Sequence, residues 1–123
     1  MHEMSVIEAL LETASTYLRS YPNPRVQRLH VRVGRLRQLD AAMLEFCFNA
    51  AVANSPLDGS ELRVEPIEPT ARCKVCSLEF DVEDTWFECP RCHDLDAELL
   101  KGDELILSSI EIDTEGSHAP LAR

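Results

Sequence analysis

Cys73, Cys76, Cys89 and Cys92 form a Cys-x2-Cys-x12-Cys-x2-Cys array, and this spacing limits what the chain can fold into more than any other feature. Each Cys-x-x-Cys turn places two sulfurs on one side of a tight loop. Two such loops facing each other give the tetrahedral S4 set that Zn2+ favours. Leu78, Phe80, Trp86 and Phe87 lie between the two knuckles, spaced for two short strands packing a very small core around the metal. A core of that size does not fold without its ion. Four thiolates leave no coordination position open to substrate or water, so the expected zinc is structural and the function lies elsewhere in the chain.

With 123 residues there is room for one ordinary core and a small satellite. The formal charge of −10 is unevenly spread: residues 1 to 60 hold six acids and six bases, residues 61 to 123 sixteen acids and six bases. Such a surface repels phosphate backbones, which argues against a nucleic-acid partner and for solubility or docking on a basic protein surface. The start Met1-His2-Glu3-Met4 is no signal peptide, and no run of 18 apolar residues offers a membrane span. A cytoplasmic protein without a membrane partner is expected. Paired cysteines kept reduced in that compartment favour metal over disulfides. Cys47, the odd fifth cysteine, sits in the apolar stretch Met43 to Phe48 and reads as a buried small hydrophobe.

The apolar pattern organises the rest. Ile7, Leu10, Leu11, Ala14, Tyr17 and Leu18 recur at helical spacing over residues 5 to 20, and Ser5-x-x-Glu8 offers a capping box. Residues 26 to 33 alternate, with Leu29, Val31 and Val33 on one side and Arg28, His30 and Arg32 on the other, as in a half-buried strand. His30 is therefore expected on the solvated face. A second helix fits Asp40 to Ala53, with Asp40 as N-cap and apolar residues nearly all round. Leu62, Val64 and Ile67 suggest a second strand, which Pro66 confines to an edge or bulge. Residues 104 to 113 supply a third strand that returns to the main sheet.

The fold class is thus α+β: two helices and a three-stranded sheet with an inserted four-cysteine, zinc-ribbon-like module. An α/β domain takes residues 1–68 and 104–113, the zinc-binding domain residues 69–103, and a flexible tail containing His118 residues 114–123. Ser77 and His93 follow the second cysteine of each knuckle, where positive φ is common, and His93 reads as a backbone choice rather than a ligand.

At the N-terminus, His2 puts an α-amine, a backbone amide nitrogen and an imidazole within one small chelate, and the Glu3 amide could complete four nitrogens in a plane. Square-planar nitrogen suits Ni2+ or Cu2+.

Taken together, the chain resembles the HypA/HybF family of nickel metallochaperones for [NiFe]-hydrogenase maturation. The resemblance lies in Met1-His-Glu-Met-Ser5, in Val31-Arg-Val-Gly-Arg-Leu36 followed by Leu44-Glu-Phe-Cys-Phe48, in Asp58-Gly-Ser-Glu-Leu62, and in the cysteine array. It implies a non-enzymatic carrier with Ni2+ as cargo and Zn2+ as structural ion. By position, His2 is the nickel ligand with Glu3 beside it, and Cys73, Cys76, Cys89 and Cys92 hold zinc. The implied partners are a hydrogenase-maturation GTPase and the [NiFe]-hydrogenase large subunit, and a homodimer stays open.

Two other readings meet physical objections, and a third shares the same cysteine array. Cys89-Pro-Arg-Cys92-His93 has the spacing for c-type haem attachment, but that leaves Cys73 and Cys76 without a role. A dithiol redox protein needs an exposed low-pKa thiolate, usually in a βαβ setting. A zinc-ribbon interaction adaptor without a nickel role is the alternative that nickel binding separates from a carrier.

Overall fold

The structure, a computed structural model, describes residues 3–83 and 87–114. Helix α1 spans Glu3–Leu18, strand β1 Pro24–Gly34, a 3-10 turn Arg35–Arg37, helix α2 Ala41–Val52, and strand β2 Glu61–Ile67. Short strands β3 (Thr70–Cys73), β4 (Glu79–Asp81) and β5 (Ala97–Lys101) follow, then β6 (Leu105–Thr114). Among the described residues these strands make two three-stranded sheets, ordered β2-β1-β6 and β4-β3-β5. The expected α+β class with two helices is what the chain adopts.

The chain divides into two compact units. One takes in the chain up to Val31, Leu39–Val64 and the residues from Leu107 on; the other takes in Arg32–Gln38 and Glu65–Ile106. In the first unit Ile7, Leu10, Ala14 and Leu18 of α1 and Leu44, Cys47, Phe48 and Val52 of α2 are buried with Leu29 and Val31 of β1 and Leu62 of β2. Helix stripes must be covered by an apolar face, so both helices lie on the side of the sheet that Leu29 and Val31 enter. The other side holds charge in register: Arg28 bonds Glu61 and Glu111, each at 2.8 Å, and His30 Nε2 pairs with Glu111 Oε2. His30 stands on that outer face, as the alternation required. Cys47 is buried, as its apolar surroundings implied.

Asp40 caps α2: its Oδ1 accepts from the Ala42 amide at 2.9 Å and the Met43 amide at 3.4 Å. Helix α1 departs from expectation. It begins at Glu3, so Ser5 and Glu8 lie inside the helix and form no capping box. Tyr17, expected on the apolar stripe, is 63% exposed, because the buried line through residues 7, 10, 14 and 18 leaves it on the flank.

The second unit differs more. Among the described residues the segment between the knuckles holds one strand, β4, which contains Phe80 and follows Leu78; Phe87 is irregular, and Trp86 lies outside the described residues. The main partner of β4 is β3, which enters the first cysteine, with Ala71 opposite Phe80; on the other side of β3, Ala71 faces Leu99 of β5. Neither β3 nor β5 was expected, since Thr70-Ala-Arg-Cys and Ala97-Glu-Leu-Leu-Lys are too short and too charged to announce a strand.

The 3-10 turn is stapled to the β5–β6 connection by Gly34 N to Glu104 O at 2.8 Å and Leu36 N to Gly102 O at 2.9 Å. The approach is close enough to need two glycines. A Cβ on Gly34 would lie 2.1 Å from the Gly102 carbonyl carbon, and Gly102, at φ +124°, would put one 2.5 Å from Pro69 Cα.

Candidate metal centre

The strand β3 delivers Cys73 from its last position, and the chain then turns twice in the same way. In the first knuckle Ser77 N donates to Cys73 O at 2.9 Å and Cys73 N to Leu78 O at 2.8 Å; in the second, His93 N donates to Cys89 O at 2.8 Å and Cys89 N to Asp94 O at 3.0 Å. Ser77 and His93 hold φ of 68° and 65°, the positive values that the knuckle position requires. Within each turn the amides also point at sulfur: Val75 and Cys76 at Cys73 Sγ, both 3.4 Å, and Arg91 and Cys92 at Cys89 Sγ, 3.4 and 3.5 Å. Part-buried amides aimed at sulfur favour the thiolate that a metal needs.

The four sulfurs lie within 4.8 Å of one another, with Cys73 to Cys92 at 3.5 Å and Cys76 to Cys89 at 3.6 Å. Zn–S bonds of about 2.3 Å put tetrahedral sulfurs about 3.8 Å apart, so the cluster is sized for such an ion. The electrostatics agree. The Leu78 amide, then Arg91, pull the Cys76 thiol down to about 6. The Cys92 amide, followed by that of Arg91, lowers Cys89. Cys92 goes the other way: the Asp94 amide favours its thiolate, but desolvation and the sulfurs of Cys73, Cys89 and Cys76 outweigh it and push the thiol up to about 12. Without a cation, sulfurs this close cannot all ionise.

One further contribution was not expected from the sequence. Arg91 reaches from the second knuckle to the first, its guanidinium donating to Cys76 O at 3.0 Å. The only signal available was a cation inside Cys89-Pro-Arg-Cys92. His93 turns outward and pairs through Nδ1 with Glu88 Oε2 at 2.9 Å, away from the sulfurs, consistent with a residue chosen for its backbone.

At the other expected site, His2 lies outside the described residues. Glu3 is described: its side chain is buried at the start of α1, and its Oε2 accepts from the Asp40 amide at 3.1 Å.

A small α+β chain with a strand-framed four-sulfur ribbon and a two-helix, three-stranded unit defines a class of metal-handling proteins. The chain belongs to the HypA family, described as hydrogenase/urease nickel-incorporation metallochaperones, whose model matches residues 1–112. It is 37% identical over 113 residues to the hydrogenase maturation factor HypA of Desulfosudis oleivorans, covering 91% of this chain and 98% of the relative. To the HypA of Chlorobium limicola it is 33% identical, covering 92% and 97%. The fold is also that of the solution structure of the Ni metallochaperone HypA from Helicobacter pylori: TM-score 0.67, 23% identity, 94% of this chain and all of that one.

Proposed function

We propose that this protein binds Ni2+ at its N-terminus and delivers it during maturation of [NiFe]-hydrogenase, while Zn2+ at Cys73, Cys76, Cys89 and Cys92 holds the second unit together. One observation carries the reading. The family match begins at residue 1 and so includes His2-Glu3, and Glu3 is buried with the Asp40 amide on its carboxylate. An anchored residue beside His2 gives the terminus a defined starting point. The His2 imidazole with nearby amide nitrogens supplies the planar nitrogen set that suits Ni2+. Donors drawn largely from one short stretch of chain can be given up one after another, as suits a carrier without catalysis of its own.

The partners that fit this role are a hydrogenase-maturation GTPase and the hydrogenase large subunit, met in the cytoplasm. Among the described residues no helix is long and apolar enough to cross a membrane. Calorimetric titration of the zinc-loaded protein with Ni2+ tests the carrier reading. His2→Ala should abolish tight binding with fold and zinc content unchanged, and His30→Ala, on the outer face of β1, should match wild type. Unchanged affinity in His2→Ala would put a zinc-ribbon adaptor in its place.

A further inference from the structure

Helix α2 buries one stripe, Leu44, Cys47, Phe48 and Val52, yet its outward side is also apolar. Phe46 is 68% exposed and Met43 45%. They stand three residues apart, so they are neighbours on the helix surface. The exposed Ala42 and Ala50 on either side leave the ring standing proud. A lone exposed apolar residue means nothing, but an exposed Phe–Met pair is what protein contacts use as an anchor.

Within the two helices the charge is of one sign. Helices α1 and α2 contain neither Lys nor Arg, and their exposed charges are Glu8, Glu12 and Glu45. Of the described arginines of the same unit, Arg28 and Arg63 pair with Glu61 and Glu111 on the far face of the sheet, and Arg19 and Arg25 stand outside both helices. Like charge opposes a second copy of this chain, and an acidic face opposes nucleic acid or an anionic membrane.

The position of the pair adds a third argument. Asp40 caps α2 and gives its amide to Glu3, so the start of α2 adjoins the start of α1. At 1.5 Å per residue, Met43 and Phe46 lie only about 5 and 9 Å along the axis from Asp40.

We propose that the outward side of the first two turns of α2, centred on Met43 and Phe46, docks a protein partner that offers an apolar pocket rimmed by Lys and Arg. The proposal rests on the carrier reading, because it seats the partner beside the terminus that would release nickel.

The purified maturation GTPase is the probe, titrated calorimetrically into the zinc-loaded full chain. Phe46→Ser should weaken the complex about tenfold or more, the loss typical of a buried aromatic anchor. Glu45→Lys should also weaken it and flatten its salt dependence. Tyr17→Ser, equally exposed but at the far end of α1, should bind as wild type does, which separates docking from general stickiness. Nickel affinity should be the same in all four proteins. Wild-type affinity in Phe46→Ser overturns the proposal, as does a wild type that binds nickel but not the GTPase; both leave the carrier reading standing. A change of sedimentation in Phe46→Ser, with GTPase binding unaltered, gives the face to a second copy instead. A wild type that binds no nickel removes both readings.

Discussion

Glu3 accepts the backbone amide of Asp40 at 3.1 Å, while the Asp40 side chain caps α2, so two carboxylates act in series at the entry of α2. The pair is 37 residues apart in sequence and joins the first turn of α1 to the entry of α2.

Asp40→Ala should lower stability by about 1 kcal/mol through the lost cap. Glu3→Ala should lower it by about 1–3 kcal/mol, since a part-buried amide then loses its acceptor. Chemical denaturation of the zinc-loaded protein measures both, and Asp40→Asn should lie close to wild type.

A short N-terminal extension should abolish tight nickel binding as thoroughly as His2→Ala does. It leaves the imidazole in place and converts the amine into an amide. Full affinity in the extended protein would show that the amine is not a ligand.

Cys76→Ala should lose zinc and unfold the chain from about residue 70 to residue 101, because thiolate–zinc binding supplies on the order of 10 kcal/mol of the folding energy of such a unit. The amide spectrum of β3, β4 and β5 is the readout. Nickel should still bind. Arg91→Ala, which breaks the bridge to Cys76 O, should keep zinc but release it faster to a chelator.

Gly34→Ala should cost about 2–4 kcal/mol, because the new Cβ meets the Gly102 backbone rather than a movable side chain. Gly59→Ala, where nothing lies within 4 Å, should be milder despite a φ of +89°. Thermal melts of the two variants compare them directly.

His30, and Arg28 after it, hold the Glu111 carboxyl below the usual carboxylate range. A group depressed in the folded state stabilises above its unfolded pKa and loses that contribution as pH falls through its folded value. Glu111→Gln should therefore melt below wild type near neutral pH, with the gap closing as both are acidified to about pH 3. Solvent screening keeps the effect small at this exposed position.

The strongly periodic or chemically pointed parts of the chain were legible from sequence. The α2 cap, the buried face of β1, the edge strand holding Pro66 and the return of β6 follow from local pattern. The four cysteines follow from ligand spacing. What sequence hid depends on partners distant along the chain. Strands β3 and β5 exist because each pairs with the other beside the four-sulfur cluster, not because their residues favour extension. The Glu3–Asp40 bond and the reach of Arg91 to Cys76 are tertiary contacts that no window of residues contains. Helix α1 was misread at its start because Ser5-x-x-Glu8 imitates a cap, while Glu3, already buried, begins the helix.

The register of β3 with β5 sets Thr70 opposite Lys101, which ties the two ends of the cysteine-bearing segment together at its neck. Strand β6 must reach β1 after residues 68 to 104 have intervened. As a floppy loop that stretch would oppose the arrival of β6 by about 2 kcal/mol more than a loop of a few residues does. Zinc bound at the four cysteines, by holding β3 and β5 in place, would lift that burden. A cell short of zinc would thus accumulate chains slow to finish their other sheet, so supply of one metal would ration readiness to handle another.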